Sequence, residues 1–167
     1  PCGGDRTKRH NMLRNKVFHF AAGAGLNPEL EKPGLLQPRP FIGSLPESDI
    51  NHANPGARRP ADVYLPRWRQ GLPMALDFAV TSGMRADYLT SIGDDPMAVF
   101  ERYEALKRAF QNTADECESR SITFTPMIQE AHSGGWSLTA KRVWDRIAKA
   151  QSATWNEEGD VASLRIA

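Results

Sequence analysis

The fold of this chain is decided by the stretch MALDFAVTS, residues 74–82. The stretch is apolar nearly throughout, and a short continuous apolar run predicts a strand that is buried on both of its faces. A strand of this kind needs helices on both sides of its sheet. We therefore expect an α/β domain that is built around residues 74–82.

On the N-terminal side, apolar residues at helical spacing predict a helix over 10–22, and glycines end it. A weak strand within 26–36 is followed at 37–60 by a stretch rich in Pro, Gly and Asn, which predicts a long surface loop. The segment ADVYL at 61–65 predicts a short strand, and residues 66–73 predict the turn to the central strand. These two strands are close enough in sequence to form a hairpin.

On the C-terminal side, an acidic cap and a proline at 94–96 predict the start of a helix over about 96–119. The segment SITFTPMI at 121–128 predicts a fourth strand, and a Gly-containing turn at 130–136 leads to a last helix over about 138–155. A helix between two strands suits a crossover to a parallel neighbour. The order of elements thus predicts a mixed four-stranded sheet flanked by helices.

Length and composition exclude several classes of protein. The chain has 167 residues, which fits one domain, and its 40% hydrophobic and 25% charged residues are typical of a globular protein. The 21 basic and 20 acidic residues give a net charge of +1, which excludes a strongly basic nucleic-acid-binding protein and an acidic tail. Two cysteines do not form a disulfide framework, and no apolar run reaches the ~20 residues of a membrane helix. With no recognisable signal peptide, we expect an intracellular protein without a membrane partner.

Two aspartates are the first candidates for chemistry. Asp77 lies in the middle of the apolar strand, where a carboxylate is costly unless it is protonated, paired or bound to a metal. It is either functional or a residue at the strand's rim that is exposed or paired with an arginine. Asp62, at the start of the preceding strand, is by itself an ordinary strand-start residue. In an antiparallel hairpin the two fall near the same end, where paired carboxylates suit Mg²⁺.

Two more charged residues have open interpretations. Glu130 ends the fourth strand and is either a third acidic ligand or a solvent-facing cap. Lys107 lies on the flank of the apolar stripe of its helix, so it either leans over the sheet edge or is a surface lysine. Arg108 points to the opposite side and is expected to be solvated. No nucleophile signature is present, which disfavours a small-molecule hydrolase.

Four segments together resemble the PD-(D/E)xK restriction-endonuclease-like nucleases. More narrowly, they are similar to the endonuclease domain of early-branching, site-specific non-LTR retrotransposon polyproteins. The segments are RPAD at 59–62, LDFAV at 76–80, YEALKRAF at 103–110 and FTPMIQEAHSGGW at 124–136, and the match also includes Arg9-His10-Asn11. The resemblance spans about residues 2–150 and implies the superfamily's αβββαβ core.

The resemblance implies a catalytic mechanism. Asp62 and Asp77, with Glu130, would hold Mg²⁺ or Mn²⁺ for hydrolysis of a DNA phosphodiester bond. The resulting nick would leave a 3′-hydroxyl that primes reverse transcription during retroelement integration. This sequence departs from the family pattern by an inserted Ala61 and by Ala79, which stands where the lysine usually follows the second acid. Within this lineage the lysine is carried by the next helix, which makes Lys107 the candidate.

The resemblance also implies partners and a location. DNA and the reverse transcriptase region of a parent polyprotein would be the partners, in the nucleus. DNA phosphates would be contacted by Arg58, Arg59, Arg67 and Arg69. Cys2 would be the last ligand of an upstream zinc knuckle, which would hold Zn²⁺.

The ends of the sequence suggest how the domain is delimited. The sequence begins at Pro1 and ends at Ala167 within a helix-like stretch, so we expect a piece of a larger protein. Residues 1–9 would be the tail of the zinc-knuckle-like segment, 10–155 the endonuclease domain, and 156–167 the start of a truncated C-terminal segment. The alternative function is a catalytically inactive remnant that positions DNA or is purely structural, because copies of such elements decay.

Overall fold

The structure, a computed structural model, describes residues 3–37, 60–69, 71–82, 95 and 97–155. Within these residues the chain alternates between helices and strands that form one sheet and two helical layers. The elements are α1 (Gly3–Gly23), β1 (Glu29–Leu30), β2 (Val63–Arg69), β3 (Leu72–Thr81), α2 (Ala98–Ala109), α3 (Thr113–Glu118), β4 (Thr123–Glu130) and α4 (Leu138–Trp155). A 3₁₀ turn at Phe110–Asn112 joins α2 to α3.

The four strands form a mixed sheet in the order β1-β2-β3-β4. β1 pairs with β2 and β2 with β3 in antiparallel fashion, whereas β3 and β4 are parallel. The parallel register runs from Met74 with Thr123 to Thr81 with Glu130. This confirms the hairpin, the helical crossover and the mixed four-stranded sheet that the sequence predicts.

The central strand is covered on both faces, also as predicted. Leu76 and Phe78 pack in one cluster with residues of α1 and α4, such as Val17 and Ile147. The alternate residues of β3 face the other layer. There Ala75 packs in a cluster with Cys117 of α3, and Ala79 packs with Phe100 of α2. Because side chains alternate along a strand, Asp77 points to the same side as Ala75 and Ala79.

The turn predicted at 66–73 is wrong in its extent. β2 continues to Arg69 and β3 begins at Leu72, so most of the predicted turn is strand. Pro66 lacks the N–H that a regular ladder needs, and the register of β2 against β3 shifts between Leu65 and Arg69. The reversal itself uses Gly71, whose φ of 81° favours glycine.

The single helix predicted over 96–119 is wrong in its continuity. Gln111 and Asn112 adopt left-handed conformations, with φ of 52° and 56°, and they divide the segment into α2 and α3. The predicted apolar stripe is broken at the same place. Leu106 is 56% exposed and Phe110 is 64% exposed, whereas Cys117 after the kink is buried.

The acidic cap predicted at 94–96 is not the N-cap of α2. The N-cap is Met97, and no side chain caps the helix start. Asp95 lies two residues earlier, and its Oδ1 atom accepts a hydrogen bond of 2.8 Å from the N–H of Met97.

Several expectations fall outside the described residues. These are Cys2, nearly all of the loop predicted at 37–60 with Arg58 and Arg59, the cap residues Asp94 and Pro96, and the segment 156–167. Among the residues that the structure describes, none of the helices has the length and apolar character to cross a membrane.

Candidate functional site

The structure places Asp62 and Asp77 next to each other across the β2–β3 hairpin. Val63 pairs with Leu76, and the N–H of Asp62 donates to the Leu76 carbonyl at 2.8 Å. The Asp62 carboxylate also accepts from the N–H of Phe78, the residue after Asp77. Its charge raises the pKa of the Asp77 carboxyl, so the two side chains lie close to each other. Both carboxylates are therefore at the end of the hairpin where the sequence predicts them.

The Asp62 carboxylate is held by two hydrogen bonds to one oxygen. Its Oδ2 atom accepts from the backbone N–H of Phe78 at 2.7 Å and lies 3.0 Å from Nε2 of His10. β2 begins at Val63, so β3 extends past it, and the carboxylate takes the place of a strand partner for Phe78. These contacts fix the orientation of Asp62 through the atom Oδ2.

His10 is the site residue that the sequence did not assign a role. It lies on α1, and its ring also contacts the ring of Phe78 edge-on, with centroids 6.5 Å apart. The apolar spacing of α1 indicated only that the helix packs on the sheet. The available signal was the Arg9-His10-Asn11 match, and it did not specify a partner for the imidazole.

Lys107 meets the second carboxylate. Its Nζ atom lies 3.0 Å from Oδ1 and 2.9 Å from Oδ2 of Asp77, so the ammonium group is shared by both oxygens. The side chains are 26% and 24% exposed, which leaves the pair at the protein surface but largely shielded from water. The flank of α2 that carries Lys107 does lean over the sheet, as one of the two interpretations predicts.

Arg108 corrects the other half of that prediction. It is half-buried, and its Nη1 atom donates to the carbonyl oxygen of Phe124 on β4 at 3.2 Å. It is therefore not the solvated residue that the helical arithmetic predicts. The prediction was based on one long helix, whereas α2 ends immediately afterwards and lies close against β4.

The environment of Asp77 disfavours its negative charge. Burial raises the pKa of the Asp77 carboxyl to about 6, and the neighbouring charge of Asp62 adds to the effect. The ammonium of Lys107 and the ring of His10 act in the opposite direction without cancelling it. A further cation beside the two carboxylates would favour the ionised form, since opposite charge lowers a carboxyl pKa.

The environment of His10 favours the charged imidazolium. The hydrogen bond to Asp62 raises the pKa of His10, although burial acts against it. The second ring nitrogen, Nδ1, lies 3.3 Å from Oδ1 of Asn11. With both nitrogens beside oxygen atoms, the doubly protonated ring satisfies both contacts.

Replacing His10 by alanine is expected to destabilise the domain more at low pH than at high pH. Because the folded pKa of His10 is raised, its stabilisation is complete below the unfolded value near 6.5 and is lost as the pH rises through the folded pKa. We expect the free energy of unfolding to fall by about 1 kcal/mol more at about pH 5.5 than at about pH 8.5. Denaturant unfolding at both pH values measures the effect.

The matched control for this prediction is His19→Ala, which removes an exposed histidine from the same helix. Equal losses for His10→Ala at the two pH values would contradict the assignment of a charged His10–Asp62 contact.

A cavity of about 230 Å³ opens beside the Asp77–Lys107 pair. The described residues that line this cavity are His10, Asp77, Phe78, Ala79, Val80, Tyr103 and Lys107. Ala79 lies two residues after Asp77 on the same strand face, and its small side chain leaves this space open. The ammonium of Lys107, another residue that lines this cavity, is the positive charge that contacts Asp77.

Glu130 is not brought to the carboxylate pair. It pairs with Thr81, four residues along β3 from Asp77, which corresponds to about 13 Å along the strand. Its Oε2 atom accepts from the N–H of His132 at 2.8 Å and from the N–H of Ser133 at 2.6 Å. This geometry matches the cap that the sequence left open as the alternative to a ligand.

The arginines of β2 also lie away from the pair. Arg67 and Arg69 are exposed, and they stand near the hairpin reversal, five and seven residues after Asp62. At the rise of an extended strand this is about 15 Å or more. The other proposed DNA contacts, Arg58 and Arg59, and the proposed zinc ligand Cys2 lie outside the described residues.

The described residues hold no group of three or more His, Cys, Asp or Glu side chains arranged for a metal ion. The donor set at the site is instead two carboxylates, of which Asp62 keeps Oδ1 outside its two hydrogen bonds to Oδ2. Such a set fits Mg²⁺, which commonly binds one or two carboxylates and completes its shell with water and substrate phosphate. Comparison with known proteins adds no assignment, because no family model matches the chain and no match is found among curated proteins.

Proposed function

We propose that this chain is a metal-dependent DNA endonuclease with a restriction-endonuclease-like core. The observation that supports the proposal best is the convergence of Asp62 and Asp77 at one end of the hairpin, with the ammonium of Lys107 on Asp77. Three of the four segments that carry the resemblance to the retrotransposon endonucleases contribute a residue there, whereas Glu130 of the fourth segment lies elsewhere. The α/β sheet with helices on both faces is compatible with that core.

The electrostatics of the site favour a bound cation. Two carboxylates lie close together, and the pKa of Asp77 is raised to about 6 by burial and by Asp62. Such a pair is unfavourable without positive charge, and Lys107 and His10 together do not restore the ordinary pKa of Asp77. When bound by Asp62 and Asp77, Mg²⁺ or Mn²⁺ would polarise the scissile phosphate and lower the pKa of a water molecule.

The protein's own residues would have distinct tasks. His10 and the N–H of Phe78 hold Oδ2 of Asp62, and Oδ1, which takes part in neither hydrogen bond, would bind the cation. Lys107 would move from Asp77 toward a phosphate oxygen when a substrate enters the cavity, where its charge stabilises the transition state. Tyr103, on the wall of the same cavity, would shield the phosphate from bulk water.

The experiment that tests the proposal is a nicking assay on supercoiled plasmid. Purified protein is incubated with Mg²⁺, with Mn²⁺, or with EDTA, and the conversion to open circles is followed on a gel. We expect nicking with either metal and none with EDTA, and the nicks should be extended directly by a DNA polymerase because they end in a 3′-hydroxyl.

An inactive protein that still binds plasmid would favour the remnant instead, a domain that positions DNA without cutting it. The Asp77–Lys107 contact would then be a structural ion pair. Nicks that need a phosphatase before extension would contradict the proposed polarity of cleavage.

Divalent metal is expected to raise the Tm of the wild-type protein and not that of Asp62→Ala. A ligand that binds the folded state alone stabilises it by mass action, by about 2.7 kcal/mol at a hundredfold excess over Kd. Thermal melts with and without millimolar Mn²⁺ measure the shift. The matched control is Asp145→Ala, which removes an exposed carboxylate from α4 and should leave the shift intact. An equal shift for Asp62→Ala would place the metal elsewhere.

A further inference from the structure

The two helical layers of the domain carry opposite charge. α1 and α4, which pack together on one face of the sheet, contain nine basic and two acidic residues. α2 and α3, on the other face, contain three basic and five acidic residues. The net charge of +1 for the whole chain therefore hides a cationic face, defined here as the exposed side of α1 and α4.

The cationic face is densest along α4. Four basic side chains and one acidic side chain, Asp145, are exposed within about 140° of the helix circumference, at ~100° per residue. The basic residues are Lys141, Arg142, Arg146 and Lys149. Three of them, with Asp145 and Ala150, line a surface hollow of about 600 Å³.

One of these arginines is held in place by the sheet. The guanidinium carbon of Arg146 lies 5.3 Å from the ring centroid of Trp68 on β2. A cation over an indole face is attracted by the ring, so part of the conformational entropy of Arg146 is already lost before any ligand binds. Exposed basic residues of α1, namely Lys8, Arg9 and Lys16, extend the same face.

We infer that the cationic face is a second contact surface for duplex DNA, which binds the phosphate backbone away from the carboxylate pair. The inference rests on the proposed function for its choice of DNA. The basic residues of α4 lie between Lys141 and Lys149, and at 1.5 Å per residue they span about 12 Å, which covers several phosphates of a DNA duplex. α1 connects the face to the site, because Arg9 directly precedes His10, the partner of Asp62.

The surface explains how a nearly neutral domain could hold a polyanion. Phosphate contacts supply affinity and positioning, and they do not require a high net charge if the basic residues are on one side.

The test is a binding measurement in EDTA, where no cleavage occurs. Fluorescence anisotropy with a labelled duplex is recorded over a series of salt concentrations for the wild type and for Arg142→Glu/Lys149→Glu. We expect the variant to bind at least tenfold more weakly at low salt, and its log–log salt slope to be smaller by about 2, since each lost phosphate contact removes about 0.9. This variant leaves Arg146 and its contact with Trp68 in place.

The matched pair of single variants is Arg142→Glu on α4 and Arg102→Glu on α2, both exposed. We expect Arg142→Glu to weaken duplex binding and Arg102→Glu to leave it unchanged. Equal effects of the two, or an unchanged salt slope for the double variant with circular dichroism as in the wild type, would overturn the inference.

A binding measurement with single-stranded RNA of the same length tests whether the surface prefers RNA to duplex DNA. Tighter binding of RNA than of duplex, with the same sensitivity to Arg142→Glu, would overturn the assignment to duplex DNA. The outcomes for the two proposals remain distinct. Plasmid nicking that is unaffected by the α4 variants would contradict the contact surface and support the endonuclease function. Duplex binding that depends on α4, without any nicking, would contradict the endonuclease function and support the contact surface.

Discussion

Asp77→Ala is expected to abolish metal-dependent nicking and to leave the domain at least as stable as the wild type. Asp77 is one of only two carboxylates that the described structure brings to the site, so its loss removes half of the donor set. Removing a charge that acts on the transition state commonly costs a factor of about 100 to 1,000 in rate. We expect a larger loss here, because the cation would be lost as well.

The effect on stability has a defined sign. The folded pKa of Asp77 is about 6, above its ordinary value of 3.8, so the folded protein binds more protons than the unfolded chain between these values. Wild-type stability therefore falls as the pH rises from about 4 to about 6, and the penalty persists above that range. Asp77→Ala lacks the penalty. In metal-free buffer we expect it to gain about 1 to 3 kcal/mol relative to the wild type at about pH 8, and much less at about pH 4.

Denaturant unfolding at both pH values measures the effect on stability, and the plasmid assay measures the effect on nicking. The control is Asp145→Ala, which should nick like the wild type and show no comparable gain. Intact nicking together with a large loss of stability would show that Asp77 is a structural partner of Lys107 and not part of a catalytic site.

The sequence predicted the sheet well because its signals are local. The apolar run at 74–82 and the β-branched run at 121–128 each specify a strand without reference to distant residues, and a helix between them makes the strands parallel. The convergence of Asp62 and Asp77 was predictable for the same reason. The length of the connecting segment permits only a hairpin, and the hairpin register then sets the two residues near each other.

What could not be predicted depends on contacts between distant segments. His10 meets Asp62 across 52 positions of sequence, and helical spacing does not indicate which strand end a helix approaches. The kink at Gln111 was not predicted because glycine is the residue that usually marks a left-handed turn, whereas glutamine and asparagine form this one. When residues 96–119 are taken as one continuous helix, the helical spacing places Leu106 and Phe110 in the core and Arg108 in solvent.

The charge of the surface was hidden for a related reason. A net charge of +1 is a property of composition, whereas the division into basic α1 and α4 and acidic α2 and α3 exists only once those helices lie on opposite faces of the sheet. The expectation that composition excludes a strongly basic protein holds for the whole chain and does not extend to one of its faces.

Lys107→Ala is expected to slow nicking by about 100- to 1,000-fold, the usual cost of removing a charge directed at the transition state. Ala79 occupies the strand position where the nucleases that the sequence resembles usually have a lysine, and Lys107 is the described basic residue on Asp77. The neighbouring control is Arg108→Ala. Arg108 donates to the carbonyl of Phe124, so its loss should lower stability modestly and change the rate of folded protein little.

The pH dependence separates two ways in which Lys107 could act. Its ammonium opposes the rise in the pKa of Asp77, so Lys107→Ala should raise that pKa further above about 6 and leave more of Asp77 protonated near neutral pH. If this were its whole contribution, nicking by Lys107→Ala would recover to the wild-type rate at about pH 9, where Asp77 is ionised in both proteins. We expect only a small recovery, because the variant still lacks a charge to place on the phosphate. Full recovery at high pH, or a rate equal to that of Arg108→Ala, would assign Lys107 to the ionisation of Asp77 alone and leave the phosphate to another basic residue.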